Sequence, residues 1–174
     1  NEIPTQLKKD IENMIANDQV VARLDGIIKN DSNWILLEGN PGTGKTTNVA
    51  SYTPDEGCLI LGKYFIKIPN DSKPKSLRIS RDNFLNWIEE SISIELTGEL
   101  PPKSAESIDK RMESLSYNFE DLGEYLERGN KLGLFFIDEL DEIPNLKEFL
   151  EIIPDILPKN LRFVLSCNSK NILP

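Results

Sequence analysis

The sequence predicts a single α/β domain, a mostly parallel sheet with helices on both faces. Two observations predict it. Short, continuously apolar runs at 34–38, 133–137 and 162–166 are separated by segments whose apolar residues recur at helical spacing, the alternation that builds a covered parallel sheet. Each run also ends in glycine, acidic or small polar residues. In an open parallel sheet these strand ends are where ligands bind.

The elements follow in order. Leu7, Ile11, Met14 and Ile15 space a helix over 5–16, and Val21, Leu24, Ile27 and Ile28 space a second over 20–28. Asn30-Asp31-Ser32-Asn33 is a turn, and the run from Trp34 is a buried strand feeding a glycine loop. Lys45 to Tyr52 reads as a helix stopped before Pro54. Cys58 to Ile68 reads as one strand, or two broken at Gly62, and polar 70–78 reads as a loop. Phe84, Leu85, Trp87, Ile88, Ile92 and Leu96 stripe a helix over 82–96. Residues 104–128 give one or two helices, with Ser107 as an N-cap. A strand over 132–137, a short helix over 145–153 stopped by Pro154, and a strand over 161–167 complete the pattern. The 174 residues suit one domain, with N-terminal helices over 1–30 and the α/β core over 31–174. Trp34 and Trp87 read as core residues.

Composition excludes several chemistries. There is no histidine, so no His triad and no His-ligated metal. Cys58 and Cys167 sit in separate strand-like runs and read as two buried thiols. That fits a reducing, cytoplasmic setting. Lys and Arg number 20 against 29 Asp and Glu, a net charge of −9, which does not support general nucleic-acid binding because the mean field repels phosphate. No run reaches the ~18 apolar residues of a membrane span, and the first residues are too polar for a leader. Six cations between 63 and 81 (Lys63, Lys67, Lys73, Lys75, Arg78, Arg81) face one acid, Asp71. A solvated loop accounts for them, and a subunit or nucleic-acid face is the sharper alternative.

Gly39-Asn40-Pro41-Gly42-Thr43-Gly44-Lys45-Thr46 matches G-x-x-x-x-G-K-[ST], between a strand and a helix that continues with Thr47. Glycines let backbone N–H groups turn inward around a β-phosphate, and the helix aims its positive end at the same anion. Lys45 supplies a cation for the β- and γ-phosphates, and Thr46 a hydroxyl for Mg²⁺. An unliganded glycine turn is the plain alternative; four fixed positions in the required context argue against it. Next, Leu134-Phe135-Phe136-Ile137-Asp138-Glu139 is an apolar strand ending in two carboxylates. Asp138 is the metal residue, holding Mg²⁺ through water, and a neighbouring carboxylate readies the attacking water. Glu139 or Glu142 could serve; Glu139, nearest the strand tip, is favoured. At the third strand tip, after Ser166-Cys167, Asn168 offers an amide to the γ-phosphate, or is simply a turn former.

Together these boxes resemble the P-loop ATPases of the AAA+ and STAND groups, over about residues 20–170. The Asp138-Glu139 pair and the Leu165-Ser166-Cys167-Asn168 ending look like the Walker B and sensor-1 motifs of AAA+ proteins, whereas Asp138-x-x-Asp141-Glu142 looks like the extended acidic box of NACHT-type STAND ATPases. Glu139 stands where the NACHT pattern usually has a small residue, and Asn168 where arginine is frequent. The resemblance implies a three-layer P-loop NTPase fold whose helical lid domain is absent from these residues, with the segment 19–24 over the adenine. It implies ATP and Mg²⁺ as cofactors, ATP exchanged for ADP, and hydrolysis driving a self-oligomerisation switch in a STAND-like signalling protein of immunity or bacteriophage defence. The alternatives are an AAA+ loader or motor acting on DNA or protein, and a scaffold that holds nucleotide without hydrolysing it. Arg81, Arg111, Arg128 and Arg162 are each open as a finger offered to a neighbouring subunit.

Overall fold

Four parallel strands lie side by side in the order β1-β4-β3-β2, in a computed structural model that describes residues 24–67 and 75–168. The elements are a helical segment α1 (24–28), β1 (Trp34–Glu38), α2 (Lys45–Ser51), β2 (Cys58–Phe65), α3 (Lys75–Arg78), α4 (Arg81–Thr97), α5 (Ile108–Arg128), β3 (Leu132–Asp138), a 3-10 turn (Leu140–Glu142), α6 (Leu146–Leu150) and β4 (Leu161–Cys167). The expected helix over 5–16, the loop over 68–74 and the 19–23 part of the adenine segment lie outside the described residues. Among the described residues, no helix is long and apolar enough to cross a membrane.

The sheet is covered on both faces, because alternation along each strand sends successive side chains to opposite sides. Phe135, Ile137, Phe163, Leu165 and Cys167 pack with Phe84, Ile88, Leu115 and Phe119 of α4 and α5. Leu134, Phe136 and Val164 pack on the other side with Leu24, Ile28, Val49 and Ala50 of α1 and α2. This is the three-layer α/β architecture that the strand–helix alternation predicts. Full burial of each large apolar side chain contributes roughly 1.5–3 kcal/mol, and Phe84, Phe119, Phe135, Phe136, Phe149 and Phe163 are all under 2% exposed.

The register brings the strand ends together. Glu38 pairs with Cys167, and Phe65 with Asp138. Since β4 lies between β1 and β3, its last residues fall between the glycine loop and the acidic pair.

Some expectations needed correction. Trp34 is 42% exposed and stacks on Phe163 with ring centroids 5.1 Å apart; β1 bears no further strand on that side among the described residues, so its first side chain keeps a solvated face. Residues 75–78 are helical rather than loop. The helix expected over 145–153 is only Leu146–Leu150, ending in a turn before Pro154. β2 is one strand with a bulge between Ile60 and Gly62, where a Cβ on Gly62 would meet Trp87 at 2.7 Å. Neither cysteine is in a disulfide; Cys167 is buried and Cys58 half-buried. Within 104–128 there is one helix, Ile108–Arg128, and Ser107 caps it by accepting a hydrogen bond from the Lys110 amide.

Candidate functional site

The glycine loop runs from the end of β1 into α2. Gly42 and Gly44 both have φ of 81°, a left-handed conformation that a side chain disfavours. The Thr43 amide and hydroxyl both donate to the Asn40 carbonyl, at 3.2 and 2.8 Å, closing the turn. Asn40, Pro41, Gly42 and Thr43 are exposed, and Lys45, Thr46 and Thr47 half-buried in the first turn of α2. The Lys45 ammonium lies across the loop. It donates to the Gly39 carbonyl, to the Asn40 carbonyl at 3.1 Å, and to Asn168 Oδ1 at 3.2 Å. The glycine loop and the tip of β4 are thus in direct contact, and Gly39 N–H donates to the Cys167 carbonyl at 3.2 Å.

Asp138 ends β3 with no exposure. Alternation puts it on the same face as Phe136, towards α2. Its Oδ1 accepts a hydrogen bond from the Ser166 hydroxyl, while Oδ2 is buried without a partner. Burial raises the pKa of Asp138; hydrogen bonds from Ser166 and Thr46 and the Lys45 charge oppose that rise. The next residue, Glu139, has φ 63° and ψ 54°, a left-handed conformation rare for a side-chain-bearing residue and found at functional sites. Its amide donates to Ser166 Oγ at 2.9 Å. Glu139 Oε2 is also buried and unpartnered. Burial first, then the Asp138 charge, raises its pKa.

The two acidic candidates have different surroundings. Glu142 is ion-paired with Lys75 at the surface, and Lys75 lowers its pKa. Asp141, which sequence reasoning gave no role, accepts the Asn168 backbone N–H on Oδ2 at 2.6 Å and ties the tip of β4 to the turn after β3. Ser166 was missed as well. Its signal is alternation: two residues before Asn168 along β4, it shares the face of Val164 and therefore of Asp138.

The donor set suits a magnesium ion. Two buried carboxylate oxygens lack partners and the Thr46 hydroxyl stands beside Asp138, all hard oxygen donors. Among the described residues no cluster of three or more carboxylate or cysteine side chains could cage a metal by itself. The remaining ligands would be water and phosphate oxygens, the usual pattern for Mg²⁺.

A cavity of about 510 Å³ adjoins the glycine loop, lined by Leu24 and Ile27 of α1, Leu36 to Gly39, Thr43, Lys45 and Asn48. A larger groove of about 680 Å³, between α5 and residues 154–160, shares no residue with the strand ends; size does not favour it, since the convergent polar groups lie elsewhere.

Of the four arginines open as fingers, two are held inward. Arg111 is buried and bonded to Asp82 at 2.8 Å and to Glu89. Arg162 is 2% exposed and donates to the Ile28 carbonyl at 3.2 Å. The basic 63–81 segment is not one solvated face either. Lys63 Nζ donates to the Ala50 and Tyr52 carbonyls, both at 3.0 Å, capping the end of α2.

No sequence-family description matches the chain, and no curated protein matches it. The fold is similar to the solved structure of PCH-2 from C. elegans, at 18% identity and a TM-score of 0.43, over 99% of this chain and 43% of that one. The chain therefore spans less than half the length of that protein.

Proposed function

We propose that the chain is the nucleotide-binding core of an ATPase, residues 1–174 forming one P-loop domain that binds ATP with Mg²⁺ and hydrolyses it slowly. One observation carries this reading: Lys45, Asp138, Glu139 and Asn168 come from three separate segments and meet at the carboxyl ends of β1, β3 and β4. In the proposed chemistry, backbone amides of 39–47 and the Lys45 ammonium bind the β- and γ-phosphates. Asp138 and Thr46 would hold Mg²⁺, and the ion would supply charge neutralisation at the transferred phosphoryl group. Glu139 orients the attacking water and accepts its proton. Asn168, already on Lys45, donates its side-chain amide to the γ-phosphate. The cavity beside Leu24, Ile27 and Asn48 takes the adenine.

The finer reading is a STAND-like conformational switch, in which ATP but not ADP promotes self-association. It rests on the Asp138-x-x-Asp141-Glu142 spacing, and Asp141 on the Asn168 amide gives that box a structural use. Calorimetric titration of ATP into wild type and Lys45→Ala tests the core proposal. Binding to wild type and its loss in the variant are expected, with the fold intact because the Lys45 ammonium bonds loop carbonyls and Asn168 rather than the core. Equal affinity in both would remove the phosphate-loop assignment.

A further inference from the structure

We propose that Ser166 is a positioning residue for the acidic pair, setting which Asp138 oxygen meets the metal and fixing the backbone of Glu139; the inference rests on the ATPase reading above. Ser166 is wholly buried on β4, the strand between the glycine-loop strand and the acidic strand. Its hydroxyl has one proton and two lone pairs, and the structure uses both capacities on consecutive residues. An amide can only donate, so Ser166 Oγ is the acceptor for Glu139 N–H. The hydroxyl proton is then given to Asp138 Oδ1.

Two consequences follow from that geometry. With Oδ1 engaged, Asp138 presents Oδ2, buried and unpartnered, as the oxygen left for a cation or its water. The Asp138 carboxylate cannot turn over without breaking the serine bond. The second consequence concerns Glu139, whose left-handed backbone is disfavoured for a residue with a side chain. Ser166 holds its amide from the neighbouring strand, so the conformation is fixed from outside the turn. Alanine would remove both bonds at once. It would leave the Asp138 carboxylate without its Ser166 donor and the Glu139 amide without this acceptor, although neither residue is itself changed.

The test uses the intact protein with ADP, ATP and Mg²⁺, in wild type, Ser166→Ala, Ser166→Cys and Ser166→Thr. Cysteine nearly preserves volume but is a weak donor and acceptor; threonine keeps the hydroxyl. The readouts are ADP affinity with and without Mg²⁺, the single-turnover hydrolysis rate, and the melting temperature. Alanine and cysteine are expected to lose at least tenfold in the Mg²⁺-dependent gain of ADP affinity and at least tenfold in rate. Their Mg²⁺-free ADP affinity should stay within about twofold of wild type, and threonine should restore the Mg²⁺ response. Wild-type Mg²⁺ response and rate in both alanine and cysteine variants would overturn the proposal. So would an equal fall in Mg²⁺-free affinity and melting temperature, because that describes a merely structural serine. Wild type that binds no nucleotide would overturn the ATPase reading and this inference with it, and that outcome is recognisable before any variant is made.

Discussion

Replacing Glu139 and Glu142 in turn by glutamine should move stability and chemistry in different directions. Glu142 shares an ion pair with Lys75 whose side chains are 32% and 46% exposed, respectively. Such pairs contribute about 0.2–1 kcal/mol, so Glu142→Gln should lower the melting temperature by no more than about 2–4 °C in a chain of this size. Its hydrolysis rate should stay near wild type. Glu139 is the opposite case. One oxygen is buried without a partner, and burial together with the Asp138 charge works against its ionised form. A neutral isostere relieves both, so Glu139→Gln should melt at or above the wild-type temperature. If Glu139 is the base, the same change should slow the single-turnover step by roughly 10²–10⁴-fold, about 3–5 kcal/mol of barrier. Nucleotide and Mg²⁺ should remain bound. The assays are single-turnover ATP hydrolysis in the intact protein, under conditions where wild type turns over, and thermal melting without nucleotide. Arrested hydrolysis in Glu142→Gln with normal hydrolysis in Glu139→Gln would refute the assignment and move the base to the extended acidic box.

Three further outcomes are expected. Burial lowers Lys63 from 10.5 to about 8, so between those values the unfolded chain keeps a proton that the folded chain has released, and folding becomes more favourable as pH rises through that window. Urea denaturation from pH 7 to 10.5 should show this rise in wild type and lose it in Lys63→Met; identical slopes would mean that the Ala50 and Tyr52 carbonyls keep the ammonium charged. Gly62→Ala should destabilise by about 1–3 kcal/mol, since its Cβ would lie 2.7 Å from Trp87 Cζ2 and 3.0 Å from Ser91 Oγ; an unchanged melting temperature would show that Trp87 yields. The intact parent protein should associate with ATP and its trigger but not with ADP, read by light scattering; the same mass in both would leave a constitutive ATPase or a scaffold.

β1, β3 and β4 were legible because parallel strands covered on both faces are largely apolar, and each of the three ends where its run meets acid or asparagine; β2, expected to reach 68, carries Gly62 and Lys63 inside it and ends at Phe65. The glycine loop between β1 and α2 was legible because its spacing is local. What escaped the sequence was whatever depends on lateral neighbours. Trp34 looks like core until β1 is seen at the end of the described sheet. Arg111 and Arg162 look like surface cations until Asp82, Glu89 and the Ile28 carbonyl meet them. Lys63 reads as part of a basic loop, yet it sits on β2 and caps α2, a pairing visible only when strand and helix are in register. Ser166 was hidden differently: a serine in an apolar strand looks like a small core residue, and only the order β4 beside β3 gives its hydroxyl the acidic pair as partners.

Charge ties the parts of the site to one another. Asp138 and Glu139 are consecutive carboxylates, each with a buried oxygen that no protein donor reaches. The Asp138 charge works against ionisation of Glu139, and under the proposed function a triphosphate beside them would add further negative charge. Lys45 is one cation, and its contacts already divide it between two loop carbonyls and Asn168. A single ammonium and the amides of one helix start do not balance two carboxylates and a γ-phosphate. Under the proposed function a divalent cation would, and the hard oxygens of Asp138, Glu139 and Thr46 are donors that would suit it. On that argument the unsatisfied oxygens of Asp138 and Glu139 are the cost of a site shaped for a charged ligand, and the left-handed turn at Glu139 is a second such cost. Both fall on this acidic pair, beside the β4 end that also touches the glycine loop.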